Sequence, residues 1–268
     1  MVAEIRNKTL IPLTLNWFGM AVHDVPAASD FYGPALGFSF EQNEAYGPWR
    51  YFQTQRMTFE LFQAHPDRLP VKAWGNGQAF RPVILVSDLS ATAAMFQQQG
   101  IPFSQSTVEF GTQPEMTGPE GIRWGLRESP NIEMDWAHPV IGGIELKAAN
   151  LKAQKAFYTQ VLGMTIEAET DQAIHLNQPQ GEAWLRIEAG GVATPPRRGE
   201  DKPAFFYPIW ISYETNDAQQ ANVWLQQHHV TILHPLTYHA DWLGTDIIIA
   251  DADGNAIQVV QYGKQESQ

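Results

Sequence analysis

The sequence predicts an α+β fold of four strand–helix–three-strand modules, and three observations carry the prediction. A stretch near the start recurs without a gap 126 residues later. Each copy opens on a residue able to cap a helix and closes on glycine. Short segments of alternating polarity fill the space between the helices, as half-buried strands do.

The first strand is read over Leu15 to Val22 and runs into Asp24-Val25-Pro26-Ala27-Ala28-Ser29-Asp30-Phe31-Tyr32-Gly33-Pro34-Ala35-Leu36-Gly37-Phe38. Asp24 is placed as the N-cap, since its carboxylate can accept from free amides of the first turn. Gly37 ends the helix because a left-handed residue costs glycine little. Strands follow at Tyr51-Phe52-Gln53 and Met57 to Phe62. A weaker echo comes next: a strand through Pro82 to Asp88, a helix through Phe96 ending at Gly100, and a strand from Ile122 to Leu126.

The second copy runs from a strand at Ile141 to Ala148 into Asn150-Leu151-Lys152-Ala153-Gln154-Lys155-Ala156-Phe157-Tyr158-Thr159-Gln160-Val161-Leu162-Gly163-Met164. It repeats the Phe-Tyr and Leu-Gly pairs in register, with Asn150 as the cap. Further strands are expected at Trp184 to Ile187, Ile209 to Tyr213, Thr245 to Ala250 and Ala256 to Val260, with a helix from about Asn216 to His228. The halves divide at about 12–138 and 139–263, near His138-Pro139. Gly190 to Pro203, rich in glycine, proline and charge, reads as a loop within the second half.

Composition narrows the function. Of 268 residues, 44% are apolar and 17% charged, which suits a packed globular chain. The net charge of −12 argues against nucleic acid, whose phosphates call for clustered Lys and Arg. Arg197-Arg198 follows Pro195-Pro196 and reads as a solvated turn. No apolar run reaches the ~20 residues that span a bilayer, and Met1-Val2-Ala3-Glu4-Ile5-Arg6 lacks the marks of a secretory signal. With no cysteine there is neither a disulfide nor a thiolate ligand. The expectation is a cytoplasmic protein without membrane or nucleic-acid partners.

The order strand, Val22-His23-Asp24, helix, Phe-Tyr, Leu-Gly resembles the opening of a vicinal-oxygen-chelate module, the superfamily of glyoxalases, bleomycin-resistance proteins and extradiol dioxygenases. Asp251-Ala252-Asp253-Gly254-Asn255-Ala256-Ile257-Gln258-Val259 resembles that family's closing strand; Glu128 to Met134 ends the first half more loosely. The resemblance implies two tandem half-barrel domains, each a cup-shaped sheet around a divalent metal. Carried over, the ligand positions of the first half become Trp17, Glu60, Arg81 and Glu133. Those of the second become Gly143, Arg186, Trp210 or a neighbour, and Gln258. Neither Trp nor Arg offers a lone pair to a cation, so neither half keeps a full ligand set.

The expected function is therefore binding of a small organic molecule in the first-half cup, with no cofactor. Arg81 would lie between Glu60 and Glu133, and Trp17 and Trp124 would touch the ligand. Arg presents a planar donor fork to an anionic or carbonyl group. The plain alternative is that the three charges are solvated strand residues and that Trp17, Trp49, Trp124, Trp136, Trp184, Trp210 and Trp242 are core. A second functional reading joins Glu60 and Glu133, with His23, around one divalent Mg, Mn, Fe, Zn or Ni ion in a lyase, isomerase or dioxygenase. A third is a non-catalytic interaction module. Monomer and homodimer both fit.

His234, His239 and Asp241 could converge as ligands, or His239 could move protons; a loop rim explains them more simply. His228-His229 suits a helix end. Asp251 to Asn255 fails as an EF-hand loop, since Gly254 is fourth and Tyr262 twelfth. A turn between strands accounts for it.

Overall fold

The computed structural model describes residues 13–37, 41–42, 50–53, 56–64, 80–106, 113–129, 140–193, 209–240 and 242–263. The first module contains β1 (Thr14–Val22), α1 (Val25–Leu36), β2 (Glu41–Gln42), β3 (Arg50–Gln53) and β4 (Thr58–Gln63). The second contains β5 (Phe80–Val86), α2 (Leu89–Gln99), β6 (Phe103–Ser106), β7 (Gln113–Thr117) and β8 (Arg123–Glu128). The third contains β9 (Val140–Ala148), α3 (Leu151–Ala156), which continues as a wider turn over Phe157–Val161, β10 (Thr165–Glu169), β11 (Ala173–Asn177) and β12 (Trp184–Ala189). The fourth contains β13 (Ile209–Glu214), α4 (Ala218–Gln227), β14 (Thr231–His239), β15 (Gly244–Ala250) and β16 (Ala256–Tyr262).

The α+β prediction and the four-module plan are what the structure shows, and the caps lie where the sequence placed them. Asp24 accepts from Ala27 N at 2.9 Å, and Asn150 accepts from Ala153 N at 3.0 Å. Gly37 takes the left-handed conformation that stops α1, with φ 68°. Asp88 and Asp217 cap α2 and α4 in the same manner. The stretch at Asp251 is the turn joining β15 to β16, and its carboxylate accepts from the backbone of Asp253 and Asn255.

Two eight-stranded sheets result. Sheet A has the order β14-β15-β16-β13-β1-β4-β3-β2, and sheet B the order β10-β11-β12-β9-β5-β8-β7-β6. In every module the first and last strands pair in parallel, while the seam between modules is antiparallel: β1 with β13, β5 with β9. Sheet A thus joins modules one and four, and sheet B joins modules two and three. This corrects the expectation that the first half makes a cup by itself. Each cup draws one module from each half of the sequence.

One large core lies on the helix-covered faces and takes residues from both sheets, including Phe18, Phe59, Trp124, Tyr158 and Tyr213. The opposite face of sheet A carries its own cluster around Trp17, Phe62 and Trp210, and that of sheet B a small one around Val83, Leu85 and Trp184. These two opposite faces line the cups. No helix among the described residues is long and apolar enough to cross a membrane.

Candidate functional site

Four equivalent positions define each cup, because the modules share one register. Seven residues before each helix cap stand Trp17, Arg81, Gly143 and Trp210. Five before each cap, the parallel partner strand supplies its own residue: Gly19 pairs with Glu60, Val83 with Gly125, Glu145 with Arg186, and Ser212 with Gln258. Cup A therefore presents Trp17, Glu60, Trp210 and Gln258. Cup B presents Arg81, Gly125, Gly143 and Arg186.

The floor of cup A is aromatic. Trp210 lies 4.9 Å from Phe62 and 6.5 Å from Trp17, the latter edge to face at 77°. Such tilted contacts suit the charge distribution of the rings. Gly19 makes the arrangement possible, since a Cβ there would overlap Cζ2 and Cε2 of Trp210. Toward the edge of the sheet, Trp242 stacks on His239 at 4.8 Å and meets Tyr262 at 5.9 Å. Gly244 in turn leaves room for the Trp242 indole.

Polar groups stand among these rings. Gln258 Nε2 donates to Asp246 Oδ2 at 2.5 Å, His239 Nε2 donates to Asp246 Oδ1 at 2.9 Å, and Asn16 Nδ2 donates to Glu214 Oε2. Asn16 Oδ1, Ser212 Oγ and Gln258 Oε1 are buried without a hydrogen-bond partner. Trp17 Nε1 faces the Tyr262 hydroxyl without completing a hydrogen bond of ordinary geometry. Glu60 is half-buried, and its apolar surroundings push its carboxyl from an ordinary 4.5 up to about 8.

Cup B is filled by its own charges. Arg81, 2% exposed, donates from Nε to Glu145 at 2.8 Å and from Nη1 to Glu115 at 3.0 Å. Glu145, fully buried, also accepts from Arg127 at 2.5 Å and lies 3.7 Å from Arg186, which reaches Glu188 at 2.5 Å. Arg127 sits over the Trp184 ring at 5.0 Å. Gly143 again makes space for an indole, here Trp184. Most of the side chains that face this cup pair with one another, although Arg127 Nε and His175 Nε2 are buried without a hydrogen bond.

The sequence-predicted site residues divide between these two places. Trp17 and Glu60 line cup A. Arg81 lies in cup B, so its carboxylates are Glu145 and Glu115 and the expected bond to Glu60 is replaced. Trp124 points the other way: it is fully buried in the main core, with Nε1 donating to the Tyr32 hydroxyl at 3.2 Å, and touches neither cup. Glu133, Asp241, Trp49 and Trp136 lie outside the described residues. His239 stands on β14, where a loop rim is the expectation from sequence, and pairs with Asp246. His234 bonds Thr237 instead, at 3.1 Å.

Sequence reasoning missed Glu145, Ser212 and Asp246. A signal for Glu145 existed, because a lone carboxylate inside Val140-Ile141-Gly142-Gly143-Ile144-Glu145-Leu146 needs a buried cation. Ser212 and Asp246 gave none, since a strand of mixed polarity does not name its neighbours.

A family metal would meet an unsuitable donor set here. Among its four positions cup A offers two indoles without lone pairs and just two oxygen donors, the Glu60 carboxyl and Gln258 Oε1, which fall short of a full ligand set. Cup B offers two guanidiniums and two glycines. Among the described residues no group of three His, Asp or Glu side chains converges on one point.

Comparison with known proteins matches this architecture. The sequence model of the Glyoxalase/Bleomycin resistance protein/Dioxygenase superfamily fits residues 14–126 and again 140–259. No curated protein matches the chain in sequence. Among solved structures, glyoxalase I from Zea mays superposes with a TM-score of 0.67 at 14% identity, covering 94% of this chain and 92% of that one. A putative dioxygenase from Bacillus subtilis subsp. subtilis str. 168 superposes with a TM-score of 0.63 at 13% identity, covering 95% and 86%. At such identity the likeness is one of fold. With both repeats matched over most of its length, the chain belongs to the Glyoxalase/Bleomycin resistance protein/Dioxygenase superfamily.

Proposed function

We propose that cup A binds a small organic molecule through aromatic contact and hydrogen bonds, without a complete metal site. One observation carries the reading: Asn16 Oδ1, Ser212 Oγ and Gln258 Oε1 are buried, unpartnered and gathered on one aromatic-walled face. Leaving such a group unsatisfied costs about 1–3 kcal/mol, and native proteins pair more than about 90% of them. A bound molecule that supplies the missing partners recovers that cost. Cup B has the same fold, but its face is occupied by the Arg81, Arg127 and Arg186 guanidiniums with Glu115, Glu145 and Glu188, and its buried atoms without a hydrogen bond, Arg127 Nε and His175 Nε2, are not oxygen acceptors; this favours cup A.

The test is a thermal-shift screen of small aromatic and polar compounds against the intact protein, repeated on Ser212→Val and Trp210→Ala. Compounds that stabilise the parent protein should lose most of that effect in both variants. If stabilisation persists undiminished in both, the cup is not where they bind. Elemental analysis of the purified protein addresses the metal: near-stoichiometric metal that disappears in Glu60→Gln would overturn the metal-free part and direct attention to lyase, isomerase and dioxygenase assays.

A further inference from the structure

Charge is segregated between the two sheets. The eight strands of sheet A carry a single Lys or Arg, Arg50 on β3, and it pairs opposite Leu61, a residue of the main core, so it lies on the face away from the cup. The strands of sheet B carry Arg81, Arg123, Arg127, Lys147 and Arg186. Among the described residues, the carboxyl groups of Glu60, Glu214 and Asp246 face cup A, with His239 beside them. An anion entering cup A would meet the Glu214 and Asp246 carboxylates, the Glu60 carboxyl beside them, and no guanidinium from the strands of the sheet. The sequence-based expectation of an anion held by Arg81 therefore does not transfer to this cup.

The amide orientations sharpen the point. The nitrogens of Asn16 and Gln258 are committed to carboxylates, which can only accept, so both amide oxygens are left as acceptors. Ser212, 0% exposed, adds a hydroxyl oxygen. A ligand that satisfies the two amide oxygens brings N–H or O–H donors, while the Ser212 hydroxyl can accept or donate and Trp17 Nε1 faces the Tyr262 hydroxyl. The rings of Trp17, Phe62, Trp210, Trp242 and Tyr262 supply negative π-faces, which attract cations.

Resting on the reading of cup A as a small-molecule site, we infer that its ligand is an organic ammonium ion: a protonated amine on an apolar or aromatic body. The body lies against the indoles, and the ammonium donates toward the Asn16 and Gln258 oxygens within reach of the carboxylate field. Protonated amines combine all three requirements in one group: positive charge, several N–H donors and compact size.

Three probes that share one body separate charge from shape: phenethylammonium, 2-phenylethanol and 3-phenylpropanoate. Binding to the intact protein is followed by tryptophan fluorescence and confirmed by calorimetry at pH 8.5 and low salt. The ammonium should bind about ten-fold tighter than the alcohol, and the carboxylate weakest. Asp246→Asn and the more exposed Glu214→Gln should each lower the ammonium's affinity more than the alcohol's and so narrow the preference for the cation; the second variant serves where the first fails to fold, and an unchanged ratio in both would overturn the assignment. If the alcohol or the carboxylate binds as tightly as the ammonium, the charge assignment is overturned while the cup remains a binding site. If no probe binds at millimolar concentration, the ammonium assignment is likewise lost, and the compound screen above decides separately whether the cup binds anything.

Discussion

Gly19 and Trp210 share one volume: the indole of Trp210 lies where a Cβ on Gly19 would stand. They face each other across the β1–β13 seam, so the fit joins the first module to the fourth. Gly19→Ala should push the ring away and cost about 1–3 kcal/mol, the usual range for overpacking a close-packed site. Adding Trp210→Phe should recover part of that loss, because the smaller ring leaves room for the methyl. Urea denaturation of the two single variants and the double variant measures the coupling; simple additivity would show that the two residues do not compete for space.

Arg81 is the buried cation on which the order of cup B depends. Arg81→Met strips Glu145 and Glu115 of a shared partner while both remain almost wholly buried. Breaking a buried pair from one side typically costs about 3–5 kcal/mol. The lower end is expected here, since Arg127 and Arg186 still approach Glu145. The loss should change little in 0.5 M salt, because ions do not screen a dehydrated pair. Ligand binding in cup A should survive it, and a variant that abolished binding while folded would contradict the separation of the two cups.

Glu60 gives cup A a pH dependence whose sign is fixed. Its folded-state value of about 8 lies above the ordinary 4.5, so the fold favours the protonated form. Below about 4.5 the group is neutral in both states and costs nothing. As pH rises toward 8 the unfolded chain ionises first, and stability falls until the folded state ionises too. Facing it are Trp17 on β1, Tyr51 on β3, Tyr262 on β16 and the carboxylates Glu214 and Asp246, with His239 beyond. Glu60→Gln should therefore raise the melting temperature at pH 8.5, by about 1–2 kcal/mol in stability once partial exposure is allowed for, and leave it nearly unchanged at pH 5. Parallel melts of both proteins across that range would expose a wrong sign at once.

Local structure was legible because local physics writes it. Asp24, Asp88 and Asn150 bond the first amides of their helices, and the Phe-Tyr and Leu-Gly pairs repeat because each module buries the same helix face. Partnering between modules was not legible, for a reason inherent in the repeat. All four modules share one register, so β1 could seam against β5 as readily as against β13 on pattern alone. What decides is long-range fit, such as Trp210 over Gly19 or Arg81 against Glu145, and no spacing in the sequence encodes it. The site reading inherited that ambiguity: the register placed Trp17, Glu60 and Arg81 at equivalent positions, but on one cup instead of two. Trp124 misled for a simpler reason, since a strand of tryptophan, glycine and leucine does not show which face is core.

Gln178 bridges the sheets at the point where β1 is irregular. Its side chain accepts from Leu15 N at 2.6 Å and donates to Leu15 O at 3.0 Å. The β1–β4 ladder begins only at Trp17, and the β1–β13 register shifts between Leu15 and Trp17. The backbone of Leu15 thus has no neighbouring strand on one side, and the amide of Gln178 takes that place. Both partners are buried, so losing the amide leaves two backbone groups unsatisfied at about 1–3 kcal/mol for the site. Gln178→Leu should show that loss, and it should also loosen the turn that presents Asn16 and Trp17 to cup A. Hydrogen exchange should rise at Leu15 before it rises in the rest of β1. Exchange that rises uniformly along the strand would mean that Gln178 stabilises the whole fold and has no special hold on the bulge.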